Sequence, residues 1–316
     1  MRNLKLLIID EVSMVKADLL YQLDLRLQEV KEKVGTPFGG VGILAFGDLM
    51  QLAPTIGRYI FQEPANPDFH ITHQLENRWQ LFSSVLLERN HRQGKDKQYA
   101  DLLNRLRVGE QTAEDLELLA TRIRKANHKE LRKVEIHIGC KRKEVAERNL
   151  KYIIKMPGKP TVIYANHHHP TQKSFKPRIS KKDGVIGTTS FLEELHLKIG
   201  AKVMIIHNID VPDMLVNGQI GTLVDIIKTE AKKADILVIK LLNSRAGEKN
   251  KEKHPNLRKT YPDCIFIERI SFQYTLRSKT SEVGATATLY QFPVRLSHAI
   301  TAHKIQGQTF IYPFEG

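Results

Sequence analysis

The sequence predicts an α/β fold with a parallel sheet, because two apolar runs flank an amphipathic segment near the amino terminus. Residues 4–9 form an almost continuous apolar run that ends abruptly in Asp10 and Glu11. Residues 41–46 form a second such run, which leads into a polar loop. Runs of this kind are typical of strands buried on both faces of a parallel sheet. We therefore expect two parallel strands joined by a helix.

The segment between the two runs has the spacing of an amphipathic helix. Apolar residues recur every three or four positions over residues 17–34, with polar residues between them. These apolar positions are Leu20, Leu23, Leu27, Val30 and Val34. A right-handed crossover through such a helix brings the carboxyl ends of both strands to one sheet edge. That edge would carry Asp10, Glu11, Asp48 and Gln51.

Acids at this edge suggest nucleotide chemistry, because open α/β sheets bind ligands at the carboxyl ends of their strands. One acid there can hold Mg²⁺, directly or through water, and a second can accept a proton from an attacking water. An amide such as that of Gln51 can sense a phosphate or position a water. The alternative is a strand that simply ends in a charged turn.

Further along the chain, local signals predict alternating helices and strands. Residues 98–108 form a helix that Gly109 ends, and Thr112 caps a helix that runs to Arg124. We expect a strand at 134–138, a helix at 144–153, a loop at 165–182 and an exposed, mobile loop at 244–259. Segments 221–227, 236–241, 264–272 and 285–292 predict a small β-barrel. His167, His168 and His169 are consecutive and point apart, so we expect no metal site there.

Composition indicates a basic protein of more than one domain. The 316 residues exceed a typical single domain, so we expect two or three. Lysine and arginine number 49 against 35 acids, a net charge of +14 that suits a polyanionic partner. A basic soluble protein, or a mobile-element product whose surface charge has drifted, would look the same. Cys140 and Cys264 provide no disulfide framework, which indicates a reducing compartment.

Five blocks of the sequence resemble, in order, the motifs of the Pif (petite integration frequency) DNA helicases, relatives of RecD. Residues 9–14 and 47–54 resemble motifs II and III, and residues 87–93 with 102–109 resemble motif IV and the helix after it. Residues 197–204 with 216–221 resemble the block that leads into a small inserted barrel, and residues 299–309 resemble motif V. Together the blocks span nearly the whole chain.

The resemblance implies two RecA-like parallel-sheet domains, the first of them incomplete, with a small inserted barrel of the Src-homology type. Residues 1–84 would be the carboxyl-terminal part of the first RecA-like domain and 85–212 the first part of the second. Residues 213–291 would form the barrel, and 292–316 would return to the second domain with motif V.

The resemblance also implies roles for individual residues. Asp10 would hold Mg²⁺ through water, and Glu11 would orient or activate the attacking water. Gln51 would read the γ-phosphate, and Arg92 would act as an arginine finger. In motif V, Gln306 and Gly307 would lie near the nucleotide, whereas Thr301, His303 and Lys304 would face the DNA backbone.

The implied function is that of an ATP-dependent 5′-to-3′ DNA helicase that translocates on single-stranded DNA and unwinds duplex junctions. ATP and Mg²⁺ would be required, and DNA repair, recombination and telomere maintenance would be its processes. We expect a monomer in the nucleus, with the mitochondrion as the alternative. No apolar run reaches the roughly 18 residues of a membrane span and no signal peptide is present, so we expect no membrane partner. Protein partners are left open.

The sequence departs from the family pattern in what lies at its two ends. No Gly-x-x-x-x-Gly-Lys-Ser/Thr phosphate loop occurs in it, and Gly94-Lys95 and Gly158-Lys159 lack the rest of that pattern. We expect a fragment without the phosphate loop and motif VI, inactive alone, and unstable because its first strand lacks neighbours. One alternative is an inactive mobile-element remnant that only binds nucleic acid. Another phosphate-loop ATPase, such as a transporter or GTPase domain, is disfavoured by motif V.

Overall fold

A computed structural model describes most of the chain, which divides into two compact units, Met1–His128 and Lys129–Gly316. The residues described are 2–66, 77–89, 91, 96–123, 136–169, 176–181, 183–187, 189–228, 234–275 and 286–306. Each unit is treated by itself below. The division into four segments at residues 84, 212 and 291 stays a prediction.

The first unit contains the predicted pair of parallel strands. Strand β1 (Leu6–Ile9) pairs with β2 (Gly42–Ala45) in parallel, with Leu6 opposite Gly42 and Ile9 opposite Ala45. The expectation that this first strand is buried on both faces was wrong for the described residues. Leu6 is 50% exposed and Ile8 is 59% exposed, because the side chains of a strand alternate between faces and only one face is covered here.

Helix α1 (Ala17–Lys31) covers that one face. Its buried positions include Leu20 and Leu27, two members of the predicted apolar stripe. They pack with residues from both strand ends and from the loops that follow, in a core of Val12, Leu20, Leu27, Phe38, Val41 and Ile60. The helix ends at Glu32, which adopts the left-handed conformation at φ 55°.

A buried ion pair lies beside this core, on the same buried face of α1 as Leu20 and Leu27. Asp24 is fully buried, and its Oδ2 accepts from Arg78 Nε at 2.7 Å. Its Oδ1 accepts from Gln28 Nε2 at 2.9 Å and from the backbone N–H of Phe38 at 2.5 Å. Because each oxygen has a donor, the carboxylate joins α1 to two distant segments of the chain.

Two capped helices complete the first unit. Helix α2 (Lys97–Val108) ends at Gly109, whose φ of 78° confirms the predicted stop. Helix α3 (Ala113–Ala120) begins with the predicted capping box, in which Thr112 and Asp115 exchange hydrogen bonds with each other's backbone N–H. It ends earlier than the predicted Arg124, which lies outside the described residues. Asp115 also accepts two hydrogen bonds from Arg105, at 2.6 and 2.7 Å.

The second unit begins with a parallel strand pair and a helix against it. Strand β3 (His137–Gly139) pairs in parallel with β14 (Ala299–Thr301), and helix α4 (Arg142–Lys155) follows β3. Buried Asn149 on α4 accepts from the Ala299 N–H at 2.8 Å and donates to the Ala299 carbonyl at 2.9 Å. The helix therefore holds the strand with which motif V begins.

Antiparallel strands make up most of the second unit. They are β4 (Thr161–Tyr164), β5 (Asn166–His168), β6 (Glu194–Leu197), β7 (Lys202–Ile205), β8 (Ile220–Lys228), β9 (Ala234–Leu241), β10 (Ile265–Glu268), β11 (Ile270–Thr275), β12 (Thr286–Gln291) and β13 (Val294–Leu296). One sheet has the order β10-β9-β8-β7-β13, a second β11-β12-β5, and β4 pairs with β6. Strands β8 to β12 lie in or overlap the segments predicted for the barrel, whereas β4, β5, β6, β7 and β13 lie outside them. Among the described residues, no pairing of the two edge strands, β10 and β13, closes the first sheet into a ring.

Two expectations for loops in this unit were wrong. The segment predicted as a loop at 165–182 contains β5, because its residues pair with β12. The charged segment at 244–259 contains helices α5 (Glu248–Lys253) and α6 (Pro255–Thr260). Buried Asp213 accepts from the N–H groups of Lys249 and Asn250 at 3.0 and 2.9 Å and so stabilises the start of α5. Because Asp213 lies 36 positions before Lys249, no local sequence pattern predicts this cap.

Short helix α7 (Ala302–Ile305) follows β14 directly. Among the described residues, no helix has both the length and the apolar character that crossing a bilayer requires.

Candidate functional site

Asp10 and Glu11 lie at the carboxyl end of β1, where the sequence predicts them. Asp10 is exposed, and its Oδ1 accepts from the backbone N–H of Glu11 at 2.9 Å. Glu11 adopts the left-handed conformation, with φ 53° and ψ 50°. A non-glycine residue in this region costs on the order of 1 kcal/mol and is most frequent at functional sites. The turn therefore holds two carboxylates in a defined, strained geometry.

The loop after β2 lies directly against this turn. The Phe46 N–H donates to the Ile9 carbonyl at 2.7 Å, and the Val12 N–H donates to the Phe46 carbonyl at 2.9 Å. Gly47 has φ 145°, and a Cβ added to it would lie 2.7 Å from the Val12 nitrogen. Only glycine fits this close approach. The resemblance to motifs II and III thus corresponds to two segments joined by backbone hydrogen bonds.

Asp48 organises the loop that carries Gln51. Its carboxylate accepts from the Met50 N–H at 3.0 Å and from the Gln51 side-chain amide at 3.2 Å. It also forms an ion pair with Arg107 on α2, with Nη2 and Oδ1 2.9 Å apart. Gln51 is thereby connected through Asp48 to a helix more than fifty residues further along the chain. Nothing in the spacing of the sequence indicates the contact with Arg107.

The donor set at the strand end fits a hydrated Mg²⁺ ion. Magnesium usually takes one or two carboxylates, keeps several waters and completes its shell with substrate phosphates. Asp10 offers exposed carboxylate oxygen, and Glu11 lies next to it. Among the described residues there is no group of three or more His, Cys, Asp or Glu side chains that could hold a metal. The residues present therefore suit a magnesium ion that arrives with its substrate rather than an all-protein cage.

The motif V residues lie at the end of β14 and along α7 in the second unit. Thr301 is the last residue of β14, and half-buried Lys304 lies on α7. His303 is exposed. Gln306 follows the helix, and its Oε1 is buried. Arg92 and Gly307 lie outside the described residues, so their predicted roles stay predictions.

A cavity of about 660 Å³ opens beside motif V and is lined by both Thr301 and Lys304. Its walls come from α4, from residues within 179–181, 183–184 and 189–197, and from strands β7, β13 and β14. It is called the motif V cavity below. Charged residues that we did not predict line it, among them Arg142, Asp183 and Arg295. They lie far apart in the sequence and in segments without a helicase motif, so no sequence signal identifies them.

His298, which precedes β14, is another residue that the sequence did not single out. It is 3% exposed, its Nε2 accepts from the Lys202 N–H at 3.0 Å, and its ring stacks on Tyr152 at 3.7 Å. Burial, with the nearby positive charge of Lys202 and that of His137, lowers the pKa of His298 to about 4. The neutral ring therefore anchors the chain just before motif V.

We expect this histidine to make the second unit acid-sensitive. The unfolded chain binds a proton on His298 near pH 6.5, whereas the folded chain resists protonation down to about pH 4, so stability is lost as pH falls through that window. The pKa difference corresponds to about 3 kcal/mol. Urea unfolding followed by far-ultraviolet circular dichroism at pH 7, 5.5 and 4 measures it. His298→Phe should flatten the pH dependence and exposed His168→Gln should not; equal slopes in all three proteins would contradict this.

Two family models match the chain. The model described as PIF1-like helicase matches residues 1–117, and the model described as DNA helicase Pif1, 2B domain, matches residues 191–226. The first match contains the strand-end carboxylates and the loop of Asp48 and Gln51. The second contains strands β6 and β7 and part of β8.

Curated relatives agree with these matches. The ATP-dependent DNA helicase PIF1 of Saccharomyces cerevisiae (strain YJM789) is 29% identical over 234 residues, which cover 72% of this chain and 25% of the relative. The human protein of the same name is 28% identical over 317 residues, which cover 97% of this chain and 41% of the relative. The chain therefore spans between about a quarter and two fifths of the length of these two relatives.

Solved structures show the same fold. The Pif1 helicase from Candida albicans matches with a TM-score of 0.67 at 24% identity, covering 96% of this chain and 64% of that one. The Bacteroides Pif1 bound to single-stranded DNA matches with a TM-score of 0.64 at 25% identity, covering 97% and 63%. With the matching family models and the curated relatives, this likeness confirms the resemblance read from the five motif blocks, and the chain is similar to the PIF1-like helicases over nearly its whole length.

Proposed function

We propose that this chain supplies the hydrolytic carboxylates and part of the DNA track of an ATP-dependent DNA helicase. The observation that carries the proposal is the turn at Asp10 and Glu11, joined by backbone hydrogen bonds to the loop of Asp48 and Gln51. Such an edge suits a substrate with phosphates, because positioning and charge stabilisation supply most of the catalysis in phosphoryl transfer. Relatives named ATP-dependent DNA helicase support it.

In this proposal each residue has a separate task. Asp10 binds Mg²⁺ through water, and the ion neutralises charge on the phosphate oxygens when it is bound. Glu11 orients the attacking water and accepts its proton. Gln51 responds to the γ-phosphate, and the ion pair between Asp48 and Arg107 carries that response to α2. Arg92 stabilises the transferring phosphoryl group, so Arg92→Ala should lower turnover by roughly 10³-fold.

The substrate that moves along the protein is single-stranded DNA. The net charge of +14 suits the phosphate backbone, and Thr301, His303 and Lys304 carry hydrogen-bond donors that phosphate oxygens accept. A Bacteroides Pif1 has been solved with single-stranded DNA bound. We further propose 5′-to-3′ movement, unwinding at duplex junctions, roles in repair, recombination and telomere maintenance, and action as a nuclear or mitochondrial monomer.

A second candidate function is binding of nucleic acid without hydrolysis. The 316 residues contain no Gly-x-x-x-x-Gly-Lys-Ser/Thr loop, which in phosphate-loop enzymes cradles the phosphates. A chain without that loop could still bind single strands through its basic surface. This alternative predicts salt-sensitive binding of DNA and no ATP turnover in any form of the protein.

DNA-stimulated ATP hydrolysis separates the two candidates. We expect the 316-residue chain to turn over ATP poorly, and a longer form encoded by the same genomic reading frame, if it carries a phosphate loop, to be stimulated by oligothymidine. Stimulated hydrolysis would support the helicase. Absence of turnover in every form, with binding of oligothymidine retained, would support the non-hydrolytic alternative.

A further inference from the structure

The motif V cavity contains a buried carboxylate that is only half satisfied. The Asp183 side chain is 6% exposed, and its Oδ2 forms an ion pair with Arg142 Nη2 at the start of α4. Its Oδ1 is buried and has no hydrogen-bond partner in the part of the chain that the structure describes. A buried oxygen of this kind costs free energy unless a water or a ligand donates to it.

A guanidinium with unused donors lines the same cavity. Arg295 on β13 has its Nε and Nη2 buried, and no acceptor for either nitrogen exists among the described residues. Burial lowers the pKa of Arg295 to about 10; Arg142 adds to the lowering, and Asp183 opposes it. Arg295 therefore remains charged at neutral pH. Its planar fork of donors matches the oxygens of a phosphate group.

The charges that act on Arg295 are mostly positive, although the lining as a whole is balanced between four arginines and lysines and four acids. Arg142 and Lys304 both repel Arg295, whereas Asp183 attracts it. Burial lowers the pKa of Lys304, and the charge of Arg295 lowers it further. An anion entering the cavity would relieve this repulsion.

We propose that the motif V cavity binds a phosphate group through Arg295 and Lys304, and that Asp183, which is paired with Arg142, offsets part of their positive charge when phosphate is absent. The inference rests on the proposed function in one respect, that the phosphate belongs to a DNA strand. A volume of about 660 Å³ exceeds a single phosphate and accommodates a nucleotide unit. Thr301 lines the same cavity, so the bound strand continues onto motif V.

Binding of fluorescent oligothymidine, measured by anisotropy over a range of salt concentrations, tests the proposal. Arg295→Gln should weaken binding by about tenfold, because the loss of a hydrogen bond to a charged group changes an affinity by about that factor. The slope of log affinity against log salt should also fall by about one, because one phosphate contact is lost. Arg295→Lys keeps the charge and should preserve most of the slope. Arg245→Gln, an exposed arginine that does not line the cavity, is the matched control and should change neither quantity.

Asp183→Asn separates a binding role from a structural one. If the cavity binds phosphate, removing the carboxylate frees Arg142 and removes a negative charge near Arg295, so oligothymidine should bind more tightly even though the melting temperature falls. If Arg142, Asp183 and Arg295 only stabilise the fold, Asp183→Asn lowers the melting temperature and leaves the affinity for oligothymidine unchanged or weaker. That second result would overturn the proposal.

Competition by inorganic phosphate and by ATP tests whether the bound phosphate belongs to DNA or to a free anion. It also separates the proposal of a phosphate site in the cavity from the proposed DNA function. Displacement of oligothymidine by these anions from the wild type, lost in Arg295→Gln, supports the cavity as the contact site. Binding of phosphate to the cavity without any binding of oligothymidine would sustain the site and contradict the DNA function. Tight binding of oligothymidine that Arg295→Gln leaves unchanged in affinity and salt slope would contradict the site alone.

Discussion

Replacing Glu11 with glutamine should lower DNA-stimulated ATP turnover by about 10³-fold in whichever form of the protein hydrolyses ATP, because the amide cannot accept the proton of the attacking water. The substitution conserves size and keeps the left-handed turn at residue 11. ATP binding should therefore persist, and the melting temperature should change little. Steady-state ATP hydrolysis and equilibrium binding of a nucleotide analogue measure the two effects separately.

Glu32→Gln is the matched control for that substitution. Among the residues that the structure describes, Glu32 is the other glutamate in a left-handed conformation, with φ 55°, and it forms an exposed ion pair with Arg2 at 2.8 Å at the end of α1. We expect turnover within about twofold of the wild type, since exposed ion pairs contribute about 1 kcal/mol or less. Equal losses in the two variants would show that charge or backbone strain, and not the chemistry of Glu11, is responsible.

Replacing Asp24 with asparagine should destabilise the first unit by about 3 kcal/mol or more, because it leaves the Arg78 guanidinium buried without its counter-charge. The side chain of Asp24 is fully buried and that of Arg78 is 8% exposed. In either amide orientation, asparagine also presents a donor group to a donor, either to Arg78 or to Gln28 and Phe38. The effect comes from tertiary contacts, since Asn in place of Asp changes helix propensity little.

The only tryptophan of the chain makes this measurement specific to the first unit. Trp79 follows Arg78 directly and stacks on Phe82, with ring centroids 5.1 Å apart. Urea unfolding followed by its fluorescence therefore reports on the core that holds the ion pair.

Two variants control the measurement. Glu29→Gln on the same helix removes an exposed partner of Arg26 and should cost less than about 1 kcal/mol. The double variant of Asp24→Asn with Arg78→Gln should lose less stability than the two single variants together. The reason is that no isolated buried charge remains when both partners are neutral. Additive costs, or a loss under 1 kcal/mol for Asp24→Asn, would show that the ion pair contributes little.

Sequence patterns predicted the elements whose causes are local. The apolar runs produced β1 and β2, the three- and four-residue spacing produced α1, and Gly109 and Thr112 marked the ends of α2 and α3. Asp10 and Glu11 were predicted at a strand end for the same reason. In each case the element depends on interactions between residues that are close in the sequence. The residue types and their spacing are therefore enough to predict it.

Interactions between distant residues could not be predicted in this way. Asp24 looks like a surface residue of an amphipathic helix until Arg78, 54 positions away, pairs with it in the core. The charged segment around Lys251 was expected to be a mobile loop, yet Lys251 is buried, and Asp213 caps the helix that contains it. Charge and polarity describe what a residue prefers in water, not which partners the fold supplies.

The sequence by itself determined the resemblance to Pif-type helicases, the α/β class and the edge at which Asp10, Glu11 and Gln51 lie, because these depend on short motifs and on local periodicity. The tertiary structure alone decided that Arg107 contacts Asp48, and that Asp183 and Arg295 line a cavity beside Thr301. Such clusters form where strands and helices from separate parts of the chain meet. Their burial and pairing are properties of the packed whole, and no single segment of sequence encodes them.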